Sequence, residues 1–335
     1  MVKFLLFSDF HYDKKRYPLT VSDLEKVLKR GYDEKVDFVL QCGDFCVDAV
    51  RSPEIFKALL QNKYNLPVYG VCGNHDLEII GNSMEFLVPL LTNSKVEKPF
   101  PDASYYYVDI NGIRFICLDT NYSFDPVAKV WEHTLPGHTM GKAGNTNLAC
   151  LCPEEFEWLK NTLDDTKEKG LKAILVSHHA LSGCFNFNCG SAPEIKELLE
   201  NYINTAVMCI NGDLHAEYFA FINYVAYYSI SSTRYLDANT KMETAYPDSL
   251  TYEYTDYDEN GNIKGKYQKP FNSLKQNYKY YTEEPMSAIV TINDDGVVNI
   301  KGCSVNWVAG ITPSNRDLQH PHEPFILDRE FQLYF

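Results

Sequence analysis

Five apolar runs in this chain stop abruptly at polar residues. "KFLLFS" ends in "DFH", "VDFVLQC" in "GD", "PVYGVC" in "GNHD", "AILVS" in "HH" and "AVMCIN" in "GDLH". Runs of four to seven apolar residues bounded by turn residues predict buried strands. Between the first three lie amphipathic stretches. Val21, Leu24, Val27 and Leu28 recur at helical spacing behind Ser22 and Glu25, which together predict a capping box. Ser52-Pro53 predicts a second helix with proline in its first turn. The order β-α-β-α-β predicts a parallel sheet in an α/β fold.

The middle of the chain reads differently. "SYYYVDINGIRFICLDTN" predicts a hairpin about Asn111-Gly112. Pro153 opens a long helix with Phe156, Leu159 and Leu163 on one face, and "APEIKELLENY" predicts another helix. "YFAFINYVAYYSIS" predicts two further strands, and "MSAIVTINDDGVVNIKG" a second hairpin. Residues 237–285 are polar and Tyr-rich, with no clear period.

Composition narrows the picture. The chain has 335 residues, 45% hydrophobic and 23% charged, enough for a large core. A formal charge of −14 argues against nucleic acid as a partner. No apolar run reaches bilayer length, and the N-terminus "MVKFLLFSDFHYD" reads as a strand rather than a signal peptide. Ten cysteines include Cys42, Cys72, Cys117 and Cys209 in apolar settings, expected as free thiols in a reducing cytoplasm. The pairs Cys150/Cys152 and Cys184/Cys189 do not fit the common zinc spacings.

Candidate chemistry sits in the polar tips. They carry Asp9, His11, Asp44, Asn74, His75, Asp76, His178, His179, Asp213 and His215. Five of the nine histidines fall there. Each residue alone has an ordinary explanation as a turn former or a satisfied polar group. Together, carboxylates and imidazoles at the carboxyl ends of strands suit divalent transition metals.

These motifs, in this order, resemble those of the calcineurin-like metallophosphoesterases. Asp9/His11 match Asp-x-His, Gly43/Asp44 match Gly-Asp, and Gly73 to Asp76 match Gly-Asn-His-Asp. His178 matches the later histidine, and Gly212-Asp213-Leu214-His215 matches Gly-His-x-His with aspartate in place of the first histidine. The resemblance covers roughly residues 1–235. "YYYVDINGIRFICLDTN" and "CPEEFEWLKNTL" also look like the branch with cyclic-nucleotide and other small-molecule phosphodiesterases.

The resemblance implies a two-sheet sandwich flanked by helices, in α/β/β/α layers, as one domain over 1–335. The core motifs would lie in 1–235, with the Tyr-rich segment and C-terminal hairpin in 236–335. It implies two divalent ions, manganese or iron by expectation, with zinc as an alternative. Asp9, His11 and His215 would hold one ion and Asn74 and His178 the other, with Asp44 between them. Asp213 would stand where the family places its missing histidine, favouring harder ions or falling short as a ligand. His75 would face the phosphate as the catalytic residue.

Two such ions clamp phosphoryl oxygens and acidify a water, so a metal-bound hydroxide is the expected nucleophile. Asp76 either orients the His75 imidazole or caps a turn. His179 is expected to stand just outside the metal ligands or to face substrate rather than to ligate, because adjacent side chains in an extended segment diverge. Val47 stands where purple acid phosphatases carry tyrosine, so no coloured ferric site is expected. Asn121 to Cys150 reads as a covering loop in which Trp131 and His133, rather than His138, touch substrate. Tyr252, Tyr254 and Tyr257 are read as packing or oligomer contacts before base stacking.

The expected activity is hydrolysis of a small-molecule phosphodiester by a cytoplasmic enzyme. The alternatives are a phosphomonoesterase or a non-catalytic scaffold on the same fold.

Overall fold

The computed structural model describes residues 1–13, 19–47, 52–77, 84–125, 127–133, 149–183, 188–237, 246–258, 262–271, 279–312 and 323–335. The first half runs β1 (Val2–Phe7), α1 (Val21–Asp33), β2 (Phe38–Gln41), α2 (Pro53–Leu60), β3 (Val68–Gly70) and α3 (Met84–Leu87). There follow β4 (Tyr106–Ile110), β5 (Ile113–Cys117), β6 (Tyr122–Asp125), β7 (Val130–His133), α4 (Pro153–Glu168) and β8 (Lys172–Ser177). The second half holds α5 (Ala192–Leu199), β9 (Ala206–Asn211), β10 (Tyr218–Ile222), β11 (Val225–Ser229), β12 (Tyr235–Asp237), β13 (Thr251–Tyr257) and β14 (Ile263–Pro270). It closes with β15 (Lys279–Tyr281), β16 (Ala288–Ile292), β17 (Val297–Lys301), β18 (Cys303–Ser304), β19 (Phe325–Ile326) and β20 (Arg329–Gln332).

Two six-stranded sheets carry the fold, in the orders β20-β17-β16-β1-β2-β3 and β10-β11-β9-β8-β5-β4. In the first, β1, β2 and β3 are parallel and β16 joins β1 antiparallel, so the C-terminal hairpin extends the N-terminal sheet. In the second, β5, β8, β9 and β11 are parallel. The five polar tips therefore come from two sheets, three from one and two from the other.

Alternation along each strand explains the layers. Phe4 and Phe38 stack at 5.1 Å on the first sheet, and both meet Phe115 of β5 edge-on, at 5.6 and 5.1 Å. Leu5 faces the other way, where α1 comes so close that a Cβ on Gly31 would lie 3.1 Å from it. Helices α4 and α5 cover the second sheet, with Leu159, Leu163, Ile195 and Leu199 buried against Ile116 and Leu175. Tyr106 of β4 ties the sheets by a polar contact: its Oη bonds both the carbonyl and the N–H of Gly70, each at 2.9 Å. The layers are α/β/β/α, as expected.

Some local readings change. The capping box of α1 is Thr20 with Asp23, not Ser22 with Glu25. Thr20 is extended, as an N-cap must be, whereas Ser22 is already helical. Proline opens α2 and α4 as expected. The covering segment contains the β6–β7 hairpin, with Phe124 packed on Trp131 at 5.6 Å. His138 lies outside the described residues.

The Tyr-rich stretch is not formless. It contains the β13–β14 ribbon, whose residues are mostly exposed or half-buried, so no hydrophobic alternation marks it. There Tyr252 packs on Phe271 at 5.4 Å. Tyr257 lines a groove beside α1 and α2, and the side chain of Tyr254 lies outside the described ones. Cys42, Cys72, Cys117 and Cys209 are buried free thiols, as are Cys150, Cys152 and Cys189, while Cys184 lies outside the described residues. Among the described residues, no helix is long and apolar enough to cross a membrane.

Candidate metal centre

The strand tips bend into the site by strained backbone. Asp9, His11, Asp44, Asp213 and His215 all have positive φ, between 48° and 66°. Such conformations cost about 1 kcal/mol or more each for a non-glycine residue, and collect where function demands them. Backbone bonds between tips hold the bends: Asp9 N–H donates to Gly43 (3.1 Å) and His11 N–H to Asp44 (2.8 Å).

The two sheets meet at their tips through glycine. A Cβ on Gly43, itself at φ +92°, would lie 2.4 Å from His178 Nδ1. One on Gly212 would lie 1.9 Å from Ser8 Oγ and 2.7 Å from Asp9 Oδ2. Only glycine lets the second sheet approach this closely.

Asp9, His11, Asp44 and His215 form one cluster of candidate ligands. Nε2 of His11 and Nε2 of His215 face each other at 3.0 Å. Asp9 Oδ1 is 3.2 Å from His215 Nε2, and is buried without a hydrogen bond. The other cluster is His178, His179 and Asp213. His178 Nδ1 faces the Cys42 carbonyl at 2.8 Å, so Nδ1 carries the proton and donates it there. Nε2 faces oxygens: Asn74 Oδ1 at 3.1 Å, Asp44 Oδ2 at 3.3 Å and Asp213 Oδ1 at 3.6 Å. Asp44 joins the groups. Its Oδ1 accepts the His75 N–H at 2.7 Å, while Oδ2 lies 3.7 Å from His11 Nε2 and 3.3 Å from His178 Nε2.

Charges shift accordingly. Burial pushes the Asp44 carboxyl up, but His178, His75 and His11 hold it well below the ordinary range. Burial raises Asp213 to about 6, with His178 and His215 opposing and Asp44 and Asp9 assisting. Three crowded carboxylates and inward-facing imidazole nitrogens are an arrangement that a cation relieves. The donor set of oxygen and imidazole nitrogen fits divalent metal ions.

The remaining candidates fall around this centre. The half-buried His75 ring stands edge-on to His11, centroids 4.9 Å apart. Asp76 accepts the N–H groups of Cys46 and Gly73, both at 2.8 Å, so it braces the turn. Burial, then Asp44, raises its carboxyl to about 7. His179 does not diverge from His178 as an extended segment requires. The chain bends after β8, and the two rings lie 5.0 Å apart.

His133 Nε2 meets Asp119 Oδ2 at 2.9 Å, and its ring packs on Tyr122 at 4.1 Å. Neither His133 nor Trp131 belongs to the ligand clusters among the described residues. Val47, the site of the missing tyrosine, is buried. Neighbouring Tyr12 turns its hydroxyl to Glu54 at 2.8 Å.

A sixth tip escaped the sequence reading. "LDTN" follows β5, as the other tips follow their strands. Its Asn121 donates to the Cys72 carbonyl at 2.8 Å, beneath the "GNHD" motif. Thr120 Oγ1 meets His179 Nδ1 at 2.8 Å, and Asp119 anchors His133. The signal was the same apolar run ending in polar residues.

Comparison with known proteins bears on the fold and the family. A dimetal phosphatase from Danio rerio is 12% identical over 99% of this chain and 98% of that one, with a TM-score of 0.59, which shows a shared fold. A purple acid phosphatase from yellow lupin (Lupinus luteus) seeds is 13% identical over 93% of this chain and 52% of that one, with a TM-score of 0.48. A putative 5'-nucleotidase from Staphylococcus aureus is 14% identical over 95% and 56%, with a TM-score of 0.46. Comparison with curated proteins gives no match. The model of one family, calcineurin-like phosphoesterase, matches residues 2–217 and so takes in all six strand tips. On that match over most of its length, the chain belongs to the calcineurin-like phosphoesterase family.

Proposed function

We propose that the chain is a binuclear metal-dependent hydrolase of small-molecule phosphodiesters. One observation carries the reading: a single oxygen, Asp44 Oδ2, lies between His11 Nε2 and His178 Nε2, the inward nitrogens of two ligand groups. Asp9, His11 and His215 would hold one ion, and Asn74, His178 and Asp213 the other. When bound, two divalent ions neutralise phosphoryl oxygens and lower the pKa of the attacking water. His75, half-buried and with its backbone N–H bonded to Asp44, would reach the leaving oxygen and donate a proton to it. Manganese or iron suits the second group, where the oxygen donors Asn74 and Asp213 outnumber the one imidazole of His178.

Charge supports a diester. Asp9, Asp44, Asp213 and the attacking hydroxide set four negative charges against two divalent ions, leaving no net positive charge to hold a dianion. That matches a monoanionic diester better than a dianionic monoester. Among the described residues, the ion pairs of these carboxylates are all with histidine, so no lysine or arginine adds positive charge there.

The test uses chelator-stripped protein reloaded separately with manganese, ferrous iron or zinc. Hydrolysis of bis(p-nitrophenyl) phosphate and p-nitrophenyl phosphate is then compared. Metal-dependent cleavage favouring the diester is expected. A preference for the monoester overturns the substrate class, and no cleavage with metal bound favours a scaffold.

A further inference from the structure

The substitution at position 213 takes an imidazole out of the second ligand group, and the structure brings another imidazole to the same place. The geometry points to His179 as a ligand of the second metal, compensating for Asp213. This assignment rests on the binuclear reading above.

Three observations carry it. A ring nitrogen of His179 lies in one cluster with ligand atoms of His178 and Asp213, all within 4.8 Å of one another. Donors bound to one ion at about 2.1 Å stand up to about 4.2 Å apart, so the cluster needs to contract only slightly. Second, His179 is buried, 4% exposed, and its Nε2 has no hydrogen bond. A buried polar nitrogen without a partner is costly, and a metal would satisfy it. Third, the other nitrogen is held from behind. Thr120 Oγ1 meets His179 Nδ1 at 2.8 Å and also accepts the His179 backbone N–H at 3.2 Å. Ligation through Nε2 needs the ring proton on Nδ1, and the hydroxyl oxygen is in place to accept it. His178 Nδ1 likewise has an outer partner, the Cys42 carbonyl. Ligating histidines usually have such a partner on the other ring nitrogen.

Burial also weighs against the substrate-facing role. A side chain 4% exposed offers little to a molecule arriving from solvent, whereas an ion is small enough to reach it.

The experiment reads ligation directly, without turnover. Protein labelled with 15N-histidine is titrated with zinc, and imidazole nitrogen shifts report which rings bind metal. Four metal-shifted rings are expected at saturation: His11, His178, His179 and His215. The fourth signal should persist in His75→Gln and vanish in His179→Gln. In calorimetry, His179→Gln should weaken the second binding step by about tenfold or more and leave the first unchanged. Three metal-shifted rings in the wild type, with two zinc ions bound, would overturn the assignment of His179 alone. If no ring shifts, the binuclear reading fails with it. The count is made on the wild type, so a variant that does not fold leaves the answer intact.

Discussion

Asp44 and His75 are neighbours with separable duties. Asp44 stands between both ligand groups, whereas His75 touches them through its backbone N–H and the edge of its ring. Asp44→Asn should therefore lose both activity and bound metal. His75→Ala should keep its metal and lose turnover by about a hundredfold or more, the loss expected on removing a general acid. Metal analysis of the two purified variants decides it; loss of metal from His75→Ala would show that the duties are shared. Asp213 gives a second residue-scale prediction. It sits 3.6 Å from His178 Nε2, in a left-handed conformation beside Gly212, whose missing Cβ lets the loop reach Ser8 and Asp9. Asp213→Ala should weaken the second metal step far more than the first. Asp213→His should shift preference towards zinc, because imidazole is the softer donor. Identical titrations for wild type and both variants would remove Asp213 from the ligand set. The residue types and their order were legible in the sequence. The tautomer of His178 was not, because the carbonyl that fixes it belongs to Cys42, far away in the chain.

At the scale of elements, the β6–β7 hairpin is anchored by a buried contact between His133 and Asp119 in addition to the backbone bonds between Tyr122 and Cys150. Asp119 is fully buried and meets His133, Ser104 and Asn121. Burial opposes its charge, but these partners hold its carboxyl below the ordinary value of 3.8. A carboxylate depressed on folding adds stability that is fully present above its unfolded pKa. That stability is lost as the pH falls below 3.8 and through the lower folded value. His133→Ala should accordingly raise the midpoint of acid unfolding, followed by circular dichroism. An unchanged midpoint would mean that the pair contributes nothing to folding. The helices and the strands of the apolar runs followed from periodicity, and element ends were harder. The α1 cap lies two residues earlier than the sequence pattern suggested, since both Thr20-x-x-Asp23 and Ser22-x-x-Glu25 fit a box and backbone geometry chose between them. The β13–β14 ribbon left no signature because neither of its faces is fully buried.

For the whole molecule, the decisive contact is between sheets. Gly212 lets the end of β9 reach Ser8 and Asp9 at the end of β1. Gly212→Ala should push the sheets apart at this edge and cost metal affinity while leaving the distant aromatic core intact. Metal titration beside near-ultraviolet circular dichroism would show it, and unchanged affinity would mean that the tips adjust independently. The chain by itself determined the five strands that carry polar tips, their order and the residues placed at their ends, because apolar runs and turn residues act locally. It also determined the donor chemistry, since carboxylate, amide and imidazole side chains carry their affinities with them. Only the tertiary structure decided which tips meet. The five came from two sheets, and what joins them is aromatic packing between Phe4, Phe38 and Phe115 together with two glycines at the seam. It also turned His179 beside His178 instead of away, through a bend after β8, and recruited "LDTN" as a sixth tip. Distances between side chains remote in sequence depend on packing across a whole core, and no local pattern encodes them.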